Sequence, residues 1–204
     1  MTAKELYEFI GSITKLPENI ICDLHKPCAY PHKHECEEIL THKLINFDDV
    51  KTFIQKGRKG PQRSSVDGYT YEKEWYCFVE IKGWKIFLDR NPVANEEEIN
   101  KQAERYDLEK KYSESRDICL SLSKEKNLFK DKKIAFFLVS DIDDQKGSGL
   151  YSLVANLNKL GVRTPTREDY CNQALQNKLD SLPKEVSTFY VECKKFDESI
   201  KKLP

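Results

Sequence analysis

The sequence contains no run of about 18 apolar residues, so no membrane span is expected. It has no excess of either charge, since 34 Lys and Arg stand against 34 Asp and Glu. A net charge of zero argues against a polybasic protein that coats nucleic acid by charge alone, but leaves room for a local basic patch. The start, Met1-Thr2-Ala3-Lys4-Glu5-Leu6, lacks the apolar stretch of a secretory signal, and the expected location is cytoplasmic. In that compartment the seven cysteines are reduced, and their odd number also fits poorly with complete disulfide pairing. Internal repeats and low-complexity segments are missing too. Aromatics are plentiful: ten Phe, ten Tyr and two Trp are too many for a disordered chain, even one that is 33% charged. The length of 204 residues suits one domain, or one domain with a small appendage, enough to bury a core of ordinary size.

Local patterns predict a mixed α/β fold, a mixed central sheet flanked by helices. Thr2 and Glu5 have the spacing of a capping box for a short amphipathic helix ending before Pro17. A second helix is expected over about 35–55, with Ile39, Leu40 and Leu44 in its apolar stripe. Three strands follow, over Ser64–Tyr71, Trp75–Lys82 and Trp84–Leu88, whose β-branched and aromatic residues and short turns favour a meander. Asn95 caps a charged helical stretch that runs with a break toward Lys126. Lys133–Ser140 is nearly all apolar, the pattern of a central strand covered on both faces. A helix over 150–160, a helix near Glu168–Leu179 and a strand near Val186–Cys193 complete the chain. The expected divisions are an N-terminal helix with a Cys/His-rich extension (1–34), an α/β core (35–162), and a helix and strand appended to it (163–204).

Within this layout Glu80-Ile81-Lys82 occupies an apolar strand, with Glu80 and Lys82 on one face and Ile81 on the other. A carboxylate and an ammonium on a buried face are costly unless paired or used. If the hairpin turn is centred between Glu72 and Trp75, Asp67 on the preceding strand faces Glu80, and a register shift of one residue would undo this. Two carboxylates facing each other repel, and a divalent cation such as Mg²⁺ or Mn²⁺ is the simplest way to keep both ionised. A lysine beside that cation can orient or deprotonate a water, a set suited to phosphodiester hydrolysis. The alternative is a solvated sheet face on which the three residues do nothing.

Val66-Asp67, a spacer, then Val79-Glu80-Ile81-Lys82-Gly83 resembles the active-site motif of the PD-(D/E)xK nucleases, the restriction-endonuclease-like superfamily. The expected order of helix, three strands, helix and strand is also similar to that core. The resemblance implies that Asp67 and Glu80 bind the metal with help from the Ile81 carbonyl, that Lys82 is the catalytic lysine, and that an acidic residue of the first core helix, here Glu38 or its neighbour Glu37, contributes. Val66 stands where the named motif has Pro. By the same analogy the substrate is DNA rather than RNA, and the protein acts as a homodimer or as a subunit of a defence or DNA-processing complex. The rival expectation is an idle nuclease-fold subunit that serves as a protein- or nucleic-acid-binding scaffold.

Residues 51–63 carry Lys51, Lys56, Arg58, Lys59 and Arg63 with no acidic residue, a local charge of +5. Lys56, Arg58, Lys59 and Arg63 are the candidate nucleic-acid contacts, since they lead directly into the strand bearing Asp67 and the loop glycines allow close approach of a phosphate. Upstream, Cys22, His25, Cys28, His32, His34 and Cys36 fall within 15 residues, where uniform scatter of the chain's Cys and His would place fewer than one. Thiolates and imidazoles in such density suit a structural Zn²⁺. The spacing matches no named finger, and six candidates exceed the four that zinc needs. Asp141, Asp143 and Asp144 lack the closing Glu of a calcium loop and read as a polar turn that caps the next helix.

Overall fold

A computed structural model describes residues 1–13, 21–23, 42–56, 63–142 and 165–204. Its centre is a six-stranded mixed sheet in the order β1-β2-β3-β4-β5-β6. The strands are β1 (Ile21–Asp23), β2 (Lys43–Asn46), β3 (Gly68–Glu72), β4 (Trp75–Lys82), β5 (Ile134–Ser140) and β6 (Val186–Glu192). Neighbours from β1 to β4 are antiparallel, whereas β4, β5 and β6 run parallel. Among the described residues the α-helices are α1 (Ala3–Ile13), α2 (Phe47–Gln55), α3 (Lys85–Arg90), α4 (Glu96–Glu104), α5 (Leu108–Ser123), α6 (Arg167–Leu179) and α7 (Phe196–Lys201). No helix among the described residues is long and apolar enough to cross a membrane.

Several elements form for the reasons legible in their residues. The Thr2 hydroxyl accepts the Glu5 N–H at 3.1 Å while the Glu5 carboxylate accepts the Thr2 N–H at 2.7 Å, a closed capping box on α1. Asn95 and Glu98 close a second one on α4. β5 is buried at every position because it has a strand on each side and side chains packed over both faces.

Two expectations need correction. Of the helix predicted over about 35–55, Phe47–Gln55 is helical. Its residues 35–41 lie outside the described residues, and Lys43–Asn46 form β2, paired with β3. Asn46 ends the strand and caps α2, its side-chain oxygen accepting the Asp48 and Asp49 N–H groups at 3.1 and 3.4 Å. The strand predicted over Trp84–Leu88 is instead helix α3. Asp141 at the end of β5 decides this, because its two carboxylate oxygens accept the Trp84 and Lys85 N–H groups at 2.7 and 3.1 Å. Two free N–H groups at a helix start are thereby satisfied by one side chain remote in sequence. Asp141 therefore caps a helix that precedes it; the helix expected over 150–160, Asp143 and Asp144 lie outside the described residues.

The sheet separates two apolar layers. Leu44, Cys77, Val79, Ile81, Phe137 and Val139 pack with Phe196 and Ile200 of α7 on one face. Tyr69, Tyr76, Phe78, Phe136 and Leu138 pack on the other against α1, α2, α4, α5 and α6. Phe78 holds that second layer together, its ring centre lying 5.5 Å from Tyr69, 5.4 Å from Tyr112 of α5 and 6.0 Å from Phe129. The site lies on this second face.

Candidate active site

Along β4 the residues Tyr76 and Phe78 face the thick helical layer, so alternation puts Glu80 and Lys82 on that side as well. The β3–β4 hairpin has the expected register, running from Gly68↔Val79 to Glu72↔Trp75 around a turn in which Lys73 takes a left-handed φ of 52°. One step beyond the ladder Asp67 comes opposite Glu80, and its Oδ2 accepts the Ile81 N–H at 2.6 Å.

The segment leading to Asp67 is held on both sides. Ser65 Oγ donates to Asp48 of α2 at 2.7 Å, and the Phe47 N–H donates to the Asp67 carbonyl at 3.0 Å. From α5, Ser115 Oγ accepts the Val66 N–H at 3.0 Å and Glu114 accepts the Ser64 N–H. Each tie satisfies a backbone or hydroxyl group that would otherwise be left without a partner, and together they fix where the Asp67 side chain starts.

Glu80 is fully buried. Its Oε1 accepts from Lys82 Nζ and, at 2.5 Å, from Lys111 Nζ of α5. Its Oε2 is buried and has no hydrogen-bond partner among the described residues. Burial, followed by the charge of Glu80, pushes the Asp67 carboxyl up to about 6, against the pull of Lys82, Lys111 and the Ile81 N–H. Burial alone would lower Lys82, but Glu80 and Asp67 outweigh it and hold its ammonium above the ordinary lysine value. The same ammonium lies 4.9 Å from the centre of the Tyr106 ring, within cation–π reach.

Asp67, Glu80 and Lys82 are thus brought together, with the Ile81 backbone between them. Glu38 and Glu37 lie outside the described residues, as do Arg58, Lys59, His25, Cys28, His32, His34 and Cys36. Of the proposed zinc set only the backbone of Cys22 is described, in β1 opposite Leu44. Lys56 is exposed just past α2, while Arg63 is half-buried with Nη1 lacking a partner among the described residues. No group of three or more His, Cys, Asp or Glu side chains suited to a metal occurs among the described residues.

Two side chains of this neighbourhood escaped the sequence reading. Lys111 belongs to a stretch that reads only as a charged helix; the sole hint of it was that two facing carboxylates need more positive charge than Lys82 supplies. Asp48, at the start of α2, has its carboxyl held below the ordinary value: burial opposes this, but hydrogen bonds from Lys51 and Ser65 prevail and Lys111 adds to them. Asp67, Glu80 and the Ile81 carbonyl are hard oxygen donors of the kind that Mg²⁺ or Mn²⁺ prefers. The buried, unsatisfied Oε2 of Glu80 is an acceptor still in want of a partner, and the donor set fits such a cation.

Compared with known proteins, the chain matches no family model, no curated protein and no solved structure.

Proposed function

We propose that the chain is a metal-dependent nuclease with a restriction-endonuclease-like core, hydrolysing phosphodiester bonds in DNA. The observation that carries this reading is the meeting of Asp67, Glu80 and Lys82 at one end of β4. The surrounding order supports it: α1, antiparallel β2-β3-β4, α5 and parallel β5 follow the sequence helix, three strands, helix, strand, with β1 inserted before β2, α2 between β2 and β3, and α3 and α4 between β4 and α5.

Asp67, Glu80 through its Oε2, and the Ile81 carbonyl would hold Mg²⁺ or Mn²⁺, which when bound polarises the phosphate and acidifies an attacking water. Lys111 keeps Glu80 Oε1 occupied and so turns the other oxygen toward a ligand. Lys82, held protonated by its neighbours, acts as a hydrogen-bond donor that orients the nucleophile or steadies the pentavalent phosphate. It is not the group that takes the proton in this state. A structural Zn²⁺ on the Cys22–Cys36 set, and a partner subunit or second copy, belong to the same proposal. Zinc content of the purified protein below about half an atom per chain would count against the former.

One observation favours a second reading, a nuclease-fold scaffold with an idle site. Lys82 and Lys111 already offset Asp67 and Glu80, so the four groups are neutral together without a cation. Hydrolysis of plasmid and single-stranded DNA with Mg²⁺ or Mn²⁺ separates the two. The nuclease reading expects cleavage by the native chain and its loss in Asp67→Ala, Glu80→Ala and Lys82→Ala. Cleavage that persists in all three removes the site, and none by the native chain with either metal favours the scaffold.

A further inference from the structure

A cleft of about 530 Å³ is lined by residues of α3 and α4. Arg90, Lys101 and Arg105 lie along it, with Phe87 and Gly83. The one carboxylate in the lining, Glu98, is engaged at the start of α4, where it accepts the Asn95 N–H at 3.1 Å. Among the described residues Arg90 and Arg105 take part in no ion pair; Arg105 only donates to the neutral Gln102 at 3.1 Å. Lys101 meets Glu97 at 2.7 Å on an open helix face, a pair that costs little to break. Cations near helix C-termini offset the helix dipole, which accounts for each of these positions singly. It does not account for all three bordering one cleft.

The cleft adjoins the candidate site through two chain steps. Lys82 belongs to the site and the next residue, Gly83, lines the cleft. Tyr106 carries the Lys82 ammonium on its ring, and the preceding residue, Arg105, lines the cleft. Consecutive Cα atoms are about 3.8 Å apart, so at two points the lining of the cleft begins one residue from the site. Gly83 puts no side chain into the cleft at the point nearest Lys82 in sequence.

Resting on the nuclease reading above, we propose that this cleft holds an unpaired strand of the substrate beside the bond that is cut, with phosphates on Arg90, Lys101 and Arg105 and a base against Phe87. Cationic side chains combined with an aromatic ring make up a single-strand track, where stacking tolerates any base and the charges follow the backbone. Phe87 is half-buried and braced edge-on by Trp84, ring centres 5.4 Å apart, so part of its ring is fixed and part is available. The volume admits one or two nucleotides and excludes a duplex, whose two backbones are held apart by base pairing.

The test is fluorescence anisotropy with a labelled oligothymidylate of about 12 nucleotides and a blunt duplex of the same length, in EDTA so that binding does not depend on cleavage. The native chain is expected to bind the single strand about tenfold more tightly than the duplex. An Arg90→Ala/Arg105→Ala variant, altered only at exposed positions, is expected to lose that preference. Its salt slope should fall by about 0.7 for each phosphate contact removed. Phe87→Leu, which keeps the core side apolar, should weaken binding and leave the salt slope unchanged. Equal binding of the two forms by the native chain, or native affinity in the double arginine variant, overturns the proposal. Cleavage measured on the same proteins keeps the two ideas apart. A native chain that cleaves while the arginine variant binds normally sinks the cleft alone. A native chain that shows no cleavage with either metal, but binds the single strand through these arginines, sinks the nuclease reading alone.

Discussion

Glu80 is a buried carboxylate held by two lysines that reach it from different elements, Lys82 on its own strand and Lys111 on α5. Removing one leaves the other in place, whereas removing both strands a charge in an apolar layer. Breaking a buried ion pair from one side costs about 3–5 kcal/mol. Urea unfolding should therefore show modest losses for Lys82→Met and Lys111→Met singly, and a loss for the double variant larger than their sum. Adding Glu80→Gln should recover most of it, because the stranded charge is gone. His42 makes a different kind of contribution. Burial lowers its imidazole below the ordinary 6.5, against the opposing charges of Asp197 and Glu72, and its ring bonds Thr70 at 2.9 Å. The native state thus binds fewer protons than the unfolded chain just below that value, and stability falls as pH drops through 6.5 toward the lowered native value. The gap in urea midpoint between about pH 7.5 and about pH 5 should narrow in His42→Gln, which keeps the hydrogen-bonding atom but cannot titrate.

At the scale of elements, α3 depends on a residue more than fifty positions away. Asp141→Ala frees the Trp84 and Lys85 N–H groups and is expected to cost about 1–2 kcal/mol, with faster amide exchange through Lys85–Arg90 as the local readout. This dependence explains why the sequence misleads there. Trp84-Lys85-Ile86-Phe87-Leu88 has the aromatic and branched content of a strand, and nothing within it signals the remote cap. Lys43–Asn46 fails in the opposite direction, since Leu44 and Ile45 fit a helical stripe as well as a strand and only pairing with β3 decides. Where the information was local it could be read: the β3–β4 register follows from a two-residue turn, Asn95 and Thr2 cap as expected, and the apolar β5 is central. The same holds within the site. Asp67, Glu80 and Lys82 were legible because a hairpin joins them, but Lys111 was not, because a helix brings it over from 31 positions beyond Glu80.

For the whole molecule, zero net charge averages over unlike regions, with cations bordering the α3–α4 cleft and, at the neighbouring strand end, Asp67 and Glu80 balanced by Lys82 and Lys111. The sheet itself joins two kinds of pairing. β3 and β4 meet across a two-residue turn, whereas β4 and β5 pair in parallel between residues 58 positions apart, as in Tyr76↔Ile134. Closing the long connection carries the larger entropy loss, so the hairpin is expected early in folding and the parallel half late. The order of events matters to Glu80. In a lone hairpin its carboxylate is still hydrated, and it loses that water only when α5 and β5 arrive. Lys111→Met should then raise the unfolding rate and leave the folding rate nearly unchanged in stopped-flow experiments. The Glu80 carboxylate is thus dehydrated in the closing step of assembly, and the first partial opening of the native protein would return water to it before the hairpin comes apart.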